Sequence, residues 1–359
     1  MKIGTAESKP GEVSKGYIDM VSFPTGGMER APVMLATGED GNDSPTLWLT
    51  ANLHGNEVTG IPVVHQTVTK HLAERMNGTV VGVITLNPSG LRSADRRSHY
   101  DTRDPNRLFP DFNQGDDVYR TTQELINNRV FKLIENNADT VIDLHCSNLG
   151  SVPFTILDRV FRGNENVDDT EQLIAKQKKY VDSFGFTPVI GPEPKRMMEL
   201  DLHRTLTASV LNNIGIPAFT AELGSDYIVE KNVVSAAVKG IKNVMREMGM
   251  LDGEIQDVGG ITKMPHDFTA RRTSIESPVS GLLDTATEPG ELVREGEPVC
   301  RICDSFGETK HVVEAHRDGW VTSFRMGIGV EEGSRVCYYA EKTTEDDMLE
   351  ILNEDVTGE

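Results

Sequence analysis

The alternation of short apolar runs with longer amphipathic stretches between residues 45 and 250 is the feature that most restricts the fold of this chain. It predicts an α/β fold in which helices flank a mixed, largely parallel sheet. The predicted strands are Thr46–Asn52, Val80–Leu86, Thr140–Leu144, Phe154–Leu157 and Pro217–Glu222. The predicted helices are Glu57–Glu74, Val118–Asn137, Asp169–Phe184, Arg204–Asn213 and Glu230–Met250.

The pattern changes after about residue 265. Short β-prone segments are broken there by turn residues such as Pro289-Gly290 and Asp318-Gly319, which is typical of a small all-β barrel or sandwich. A chain of 359 residues has room for one large and one smaller domain. We therefore predict an α/β domain over residues 1–265 and a β barrel-sandwich domain over residues 266–359 that ends in a short acidic tail.

The charge balance argues against two classes of partner. Lys and Arg total 36 and Asp and Glu total 56, so the net charge is −20. Nucleic acids and anionic membranes attract basic surfaces, so we predict neither as a partner. The sequence leaves open whether the chain forms a homo-oligomer.

The N-terminus and the cysteines predict a cytoplasmic protein. The first residues are polar, and no apolar run approaches the ~18 residues of a membrane helix. The four cysteines, Cys146, Cys300, Cys303 and Cys337, are too few for a disulfide scaffold and fit a reducing compartment. We interpret Cys300 and Cys303 as strand residues, because no helix follows them to lower a thiol pKa.

Three candidate metal ligands follow the ends of predicted strands. His54 and Glu57 come after the first strand, and His145 comes after the third. Strand ends meet at one edge of an open α/β sheet, so these side chains can converge on one ion. Two imidazoles and a carboxylate are the ligands of catalytic zinc sites, which keep a fourth position open for water. The pattern predicts one Zn²⁺ per chain, with Asp143 as a residue that could orient a ligand.

Glu222 ends the fifth predicted strand, at the same edge of the sheet. Its position suits a general base acting on water. A fourth metal ligand or an ordinary solvated glutamate fits the position about equally well.

A loop rich in arginine follows Asn87, in a chain that is otherwise acidic. Its positive charge indicates a pocket for an anion, because guanidinium groups bind carboxylates bidentately. Ion pairs with the loop aspartates are the alternative, which we favour for Arg92 and Arg103. The loop arginines are Arg92, Arg96, Arg97, Arg103 and Arg107.

Four motifs in order resemble the succinylglutamate desuccinylase/aspartoacylase family. They are HGNE at 54–57, the NP-to-NRLFP loop at 87–110, DLH at 143–145 and AELG at 221–224. Pro105 and Asp111 depart from the family pattern, which usually has Leu and Gly at those positions. The resemblance implies a zinc-dependent amidohydrolase with a zinc carboxypeptidase-like fold and a small C-terminal barrel-sandwich domain.

The resemblance also implies a role for each site residue. Glu222 would be the base that later protonates the leaving amine, and Arg96 would polarise the scissile carbonyl, with Arg97 as its close rival. Asn106 and Arg107 would bind the substrate carboxylate. The zinc ligands would be His54, Glu57 and His145.

The implied reaction is deacylation of a small N-acetyl or N-succinyl amino acid that carries a carboxylate. Neither the acyl group nor the amino acid can be read from the residues. A zinc carboxypeptidase acting on peptides is the first alternative. A non-catalytic zinc-binding or carrier-like module is the second, and it is disfavoured because Lys310 lies between Thr309 and His311 with no neighbouring methionine.

An excess of acidic residues also keeps a protein hydrated in concentrated salt, where the Debye length falls to ~3 Å at 1 M. We hypothesise a salt-loving source, for which an N-acetylated intermediate of compatible-solute metabolism is one candidate substrate. The free energy of unfolding in urea should then be greater in molar KCl than in dilute buffer. Equal or greater stability in dilute buffer would contradict the hypothesis.

Overall fold

The computed structural model describes residues 1–41, 44–111, 121–161, 167–263 and 269–343. The strands are β1 Lys2–Ile3, β2 Ala6–Glu7, β3 Val13–Ser22, β4 Met28–Thr37, β5 Thr46–Ala51, β6 Thr79–Val83, β7 Thr140–Ser147, β8 Phe154–Leu157, β9 Thr187–Ile190, β10 Ala218–Ser225, β11 Thr269–Glu276, β12 Gly281–Thr285, β13 Leu292–Val293, β14 Pro298–Cys303, β15 Thr309–Glu314, β16 Gly319–Phe324, β17 Gly329–Val330 and β18 Arg335–Thr343. The helices are α1 Gly60–Thr67, α2 Lys70–Ala73, α3 Pro88–Ser93, α4 Thr122–Asn137, α5 Val167–Phe184, α6 Pro194–Glu199, α7 Leu206–Ser209 and α8 Lys231–Glu247. Single 3₁₀ turns cover Pro105–Arg107 and Leu202–Arg204, and a π turn at Val210–Ile214 continues α7.

Within the described residues, twelve strands form one mixed sheet, in the order β13-β16-β18-β11-β9-β8-β10-β7-β5-β6-β4-β3. The predicted mixed sheet is confirmed. Its centre, β6-β5-β7-β10, is parallel throughout. The sheet also contains β3, β4 and β9, which the sequence analysis does not predict. Strands β3 and β4 run antiparallel at one edge of the sheet.

The two faces of the central strands carry separate hydrophobic cores. Leu49 and Ile142 belong to a core with α1, α5 and α8, whereas Trp48 and Val141 belong to one with α4 and α7. Successive side chains of a strand point to opposite faces of the sheet, so this alternation shows that both faces of the central strands are buried.

Two predicted helices are interrupted in the structure. The prediction of one helix over Glu57–Glu74 is wrong, because α1 ends at Thr67 and the Thr69 hydroxyl then caps α2 by accepting a hydrogen bond from the backbone N–H of Leu72. The prediction over Arg204–Asn213 is also too simple. A 3₁₀ turn precedes α7 there, and the helical run ends at Gly215, which has the left-handed φ of 80°.

Two other predicted helices have shifted bounds. Residues 118–120 of the predicted helix Val118–Asn137 lie outside the described residues, and α4 begins at Thr122 behind a capping box of Thr121 and Glu124. Helix α8 is shorter at both ends than the predicted Glu230–Met250.

The chain beyond residue 269 is all β in the part that the structure describes. Strands β11, β18, β16 and β13 continue the main sheet through β9, with Arg271 opposite Ile190. A four-stranded sheet, β15-β14-β12-β17, lies beside them. A shared apolar cluster consists of Phe154, Ile156, Val189, Ala270, Trp320 and Ala340. The two regions are therefore joined by a common sheet and a common core.

The barrel-sandwich arrangement of the C-terminal region stays a prediction. The predicted domain boundary at residues 265 and 266 and most of the predicted acidic tail lie outside the described residues.

All four cysteines are buried and free. Cys300 and Cys303 lie in β14, which confirms their interpretation as strand residues. Among the described residues, no helix is both long and apolar enough to span a membrane.

Candidate active site

His54 and His145 lie side by side because β5 and β7 are parallel neighbours, with Ala51 opposite Leu144. The loop after β5 is held by Asn52, whose backbone has the left-handed φ of 55°. The Asn52 amide donates to the carbonyl oxygens of His54, Gly55 and Glu57 at 3.0–3.1 Å. These bonds turn the chain so that Glu57 points back toward His145.

The carboxylate of Glu57 lies between the two imidazoles. Its Oε1 is 2.7 Å from His54 Nδ1, and its Oε2 is 2.7 Å from His145 Nδ1. The two Nδ1 atoms are only 3.2 Å apart. Burial favours a raised pKa for Glu57, but the charges of His54 and His145 outweigh it and take that pKa well below its usual value.

This donor set fits a zinc ion. The possible ligand atoms of His54, Glu57 and His145 lie within 4.8 Å of one another, and all three side chains are buried. Two imidazole nitrogens and a carboxylate oxygen that converge on one point are the ligands that Zn²⁺ takes in hydrolases. The structure therefore brings together the three ligands that the sequence predicts.

In each imidazole, Nδ1 faces Glu57, and the outer nitrogen, Nε2, contacts another carboxylate. Asp143 Oδ2 lies 2.7 Å from His145 Nε2, and Asp104 Oδ1 lies 2.8 Å from His54 Nε2. The Thr50 hydroxyl fixes Asp143 by donating to its other oxygen at 2.7 Å. Such contacts set the orientation of a ligand histidine and keep its inner nitrogen free for a metal. Burial opposes protonation of His145, but Asp143 and Glu57 raise its pKa well above the usual value.

Glu222 lies opposite His145 in the pairing of β10 with β7 and points to the same face of the sheet. Its Oε1 is 3.8 Å from a guanidinium nitrogen of Arg272, and its buried Oε2 has no hydrogen-bond partner. Burial raises the pKa of Glu222, and the charge of Arg272 opposes this shift. Within the described residues, Glu222 is not part of the ligand cluster.

Arg96 reaches the cluster of candidate metal ligands, and Arg97 does not. Arg96 donates to Glu57 at 2.9 Å and to Asp104 at 2.9 and 3.2 Å. Arg97 shares a neighbouring cavity of about 330 Å³ with Arg96 and Arg107, but among the described residues it is not one of those that line the cavity of the ligand cluster. Arg103 forms the expected ion pair with a loop aspartate, Asp101. Arg92 also forms an ion pair, but its partner is Glu29, which lies outside the loop.

Asn106 and Arg107 lie against the cluster. The Asn106 amide nitrogen is 3.3 Å from His145 Nε2, and its oxygen accepts from the backbone N–H of Leu206. Arg107 donates to the backbone oxygen of Asn106 at 2.6 Å and lines the cavity. Burial lowers the pKa of Arg107, and Arg96 and Arg272 add to this effect, while Asp104 opposes it.

The site opens into a cavity of about 460 Å³, and C-terminal strands form one wall of it. Arg272, Thr273, Ser274 and Tyr338 line this wall. The Arg272 guanidinium also lies 5.8 Å from the centre of the Phe154 ring.

Six charged residues of this cavity and its ligand cluster are not among the predicted site residues: Asp104, Asp158, Arg196, Asp226, Arg272 and Arg335. For Arg272 a weak signal exists in the sequence, because Arg271 and Arg272 are adjacent in an acidic chain.

Residues 43–248 match the model described as the succinylglutamate desuccinylase/aspartoacylase catalytic domain. The chain belongs to this family. A curated relative, the N-alpha-acetyl-L-2,4-diaminobutyric acid deacetylase of Halomonas elongata, is 26% identical over 303 residues, which cover 83% of each chain.

Solved structures share the fold. The succinylglutamate desuccinylase/aspartoacylase from Rhodobacter sphaeroides has a TM-score of 0.72 at 23% identity, with 92% of this chain and 96% of that chain covered. The product-bound ectoine utilization protein EutE (DoeB) from Ruegeria pomeroyi has a TM-score of 0.72 at 22% identity, with 95% and 99% covered. The fold predicted from the family resemblance is therefore confirmed in its α/β architecture.

Single substitutions should distinguish the residues that bind zinc from the other residues of the site. We expect His145→Ala to abolish tight Zn²⁺ binding, because it removes one of three donors. Glu222→Gln should bind one Zn²⁺ per chain as the unaltered protein does. Calorimetric titration of chelator-treated protein measures both. Loss of zinc from Glu222→Gln would make Glu222 a ligand and contradict its assignment as a base.

Proposed function

We propose that this protein is a zinc-dependent amidohydrolase that removes the acyl group from a small N-acyl amino acid. The observation that supports this most directly is the buried cluster of His54, Glu57 and His145, with Glu222 on the same face of the sheet. Zinc bound by the cluster would supply Lewis acidity and lower the pKa of a water molecule toward neutrality.

Glu222 moves the proton in this proposal. Its raised pKa and unpartnered Oε2 suit a group that accepts a proton from the attacking water. The water oxygen then bonds to the carbonyl carbon, and the C–N bond breaks as Glu222 returns the proton to the leaving amine. The products are a carboxylate and a free amino acid.

Arg96 stabilises the oxyanion that forms at the carbonyl. Its guanidinium has five N–H donors, and Glu57 and Asp104 occupy three of them. The side chain is 46% exposed, so the remaining donors are accessible. Loss of such a donor costs about 10²- to 10³-fold in rate. Arg97 is not proposed for this role, because among the described residues it does not line the cavity of the ligand cluster, whereas Arg96 does.

Arg107 and Asn106 bind the substrate carboxylate in this proposal, because both line the cavity and Asn106 lies beside His145. The wall from the C-terminal strands closes the cavity on one side, which favours small substrates over peptides. The curated relative is named for an N-acetylated amino acid, so an N-acetyl substrate is the first to test.

Release of free amine from a panel of N-acetyl and N-succinyl amino acids and short peptides tests the proposal. We expect zinc-loaded protein to cleave an N-acyl amino acid, a chelator to stop the reaction, and Glu222→Gln to lower turnover by at least about 10²-fold. Cleavage of peptides alone would instead identify a carboxypeptidase. If no substrate of the panel releases free amine, the result would contradict the proposed hydrolysis.

Arg107→Ala tests the binding of the carboxylate. We expect kcat/KM to fall about 10- to 100-fold for an N-acyl amino acid, because a charge-assisted hydrogen bond is lost. It should change little for the same substrate capped as an amide. Arg92→Ala is the matched control, because Arg92 lies in the same loop but pairs with Glu29. Equal losses on both substrates would show that Arg107 does not recognise the carboxylate.

A further inference from the structure

Arg272 enters the cavity of the candidate zinc ligands from β11, a strand of the C-terminal region. Strand β11 is a neighbour of β9 in the main sheet, with Arg271 opposite Ile190. Successive side chains of a strand point to opposite faces of the sheet, so Arg271 and Arg272 diverge. Arg271 forms ion pairs with Glu193 and Glu341, whereas Arg272 lines the cavity. The Arg272 side chain is therefore directed at the site, while the charge of its neighbour is compensated elsewhere.

The Phe154 ring supports the Arg272 guanidinium. Phe154 in β8 lies directly opposite Glu222 in β10, and directly paired residues point to the same face of a sheet. The guanidinium carbon of Arg272 is 5.8 Å from the centre of the Phe154 ring, which is within the range of a cation–π contact. The ring is buried, so its neighbours restrict its position. Phe154 therefore places the guanidinium next to the carboxylate of Glu222.

Arg272 forms an ion pair with the candidate base. Its Nη1 is 3.8 Å from Glu222 Oε1, and among the described residues Glu222 forms an ion pair with no other basic side chain. Burial and the charge of Glu57 raise the pKa of Glu222. The charges of Arg272, His145 and Arg96 oppose this shift, and that of Arg272 has the largest effect of the three. Arg272 is thus the main electrostatic partner of Glu222.

The two oxygens of the Glu222 carboxylate have different surroundings. Oε1 faces Arg272, while Oε2 is buried and has no hydrogen-bond partner among the described residues. A carboxylate that is held through one oxygen can present the other to a reacting molecule. A general base must lie within hydrogen-bond reach of the proton that it accepts. One oxygen of Glu222 is therefore available for holding the side chain, and the other is available for chemistry.

We propose that Arg272 is a positioning residue, which holds Oε1 of Glu222 so that Oε2 is presented to the attacking water. This role rests on the proposed amidohydrolase function, and it gives β11 a part in the reaction. A separation of 3.8 Å is that of an ion pair and not of a hydrogen bond, so the charge of Arg272 matters more than its donor geometry. A lysine at this position should therefore retain part of the effect.

Steady-state kinetics of Arg272→Met tests this role with a substrate that the hydrolysis panel identifies. Methionine keeps an unbranched apolar side chain beside Phe154 but removes the charge. We expect kcat to fall about 10- to 100-fold, because a displacement of about 1 Å at an active site can cost about 10²-fold in rate. KM should change less than about threefold. Arg272→Lys should recover at least about threefold of the lost kcat.

An amide-capped substrate distinguishes positioning of the base from recognition of the substrate. If Arg272 acts through Glu222, kcat should fall by the same factor for an N-acyl amino acid and for its amide-capped form. A loss confined to the uncapped substrate, or a rise in KM with kcat unchanged, would assign Arg272 to the substrate carboxylate and overturn the inference. An unchanged kcat and KM would also overturn it.

Arg271→Met is the matched control, because it removes the same charge from the opposite face of the same strand. It should keep kcat within about threefold of the unaltered protein. An equal loss of kcat in Arg271→Met and Arg272→Met would attribute the effect to the packing of β11 and overturn the inference. Calorimetric titration should show one Zn²⁺ per chain in Arg272→Met, and loss of zinc from this variant would overturn the inference as well.

A crystal structure of zinc-loaded Arg272→Met tests the position of Glu222 without turnover. We expect the Glu222 carboxylate to lie about 1 Å or more from its position in the unaltered protein. An unchanged position would overturn the inference, even when N-acyl amino acids are cleaved. Failure of the amidohydrolase function has a different result, which is that no substrate of the panel releases free amine, whatever the position of Glu222.

Discussion

The parallel pairing of β5 with β7 is the constraint on which the site depends. It places His54 beside His145 and leaves Glu57 buried between them. A buried carboxylate is stable only when its charge is compensated, and here two imidazoles, Arg96 and the backbone N–H of Cys146 all face it. Buried ionic networks are weak contributors to stability. The cluster is better explained by what it can bind.

The charged groups around Glu57 alternate in sign from the centre of the ligand cluster outward. Asp143 and Asp104 hold the outer nitrogens of the imidazoles, and Arg96 links Glu57 to Asp104. The cavity beyond the cluster is completed from the far end of the sequence, because β11 joins the edge of the sheet at β9 and brings Arg272 close to Glu222. The C-terminal strands are therefore part of the site as well as of the fold.

Much of the site could be predicted from short sequence patterns, and the reason is local geometry. His54 and Glu57 lie three residues apart after one strand, and His145 lies near the carboxyl end of the neighbouring strand, so a correct strand prediction suffices to bring them together. Asp104 is one of the loop aspartates that the sequence indicates only as possible partners of the loop arginines, because its contact with His54 spans 50 residues. Arg272 and Asp158 depend on which strands pair at the sheet edge, and no local pattern specifies that pairing.

The same distinction explains the fold. Strong apolar runs predicted the central strands, whereas β3 and β4 alternate buried and exposed residues at the edge and lie before the stretch in which strands were predicted. The break between α1 and α2 depends on the Thr69 cap, which interrupts a pattern that is otherwise helical. Helix capping and the pairing of edge strands determine these features, and hydrophobic periodicity does not predict them.

Anomalous diffraction at the zinc edge from crystals of the zinc-loaded protein is the most direct measurement of the central claim. We expect one strong peak per chain, about 2.0–2.2 Å from the Nδ1 atoms of His54 and His145 and from the Glu57 carboxylate, with Glu222 outside the ligand shell. A peak elsewhere, or zinc bound through Glu222 in place of one of these three residues, would contradict the assignment of the site and of its base.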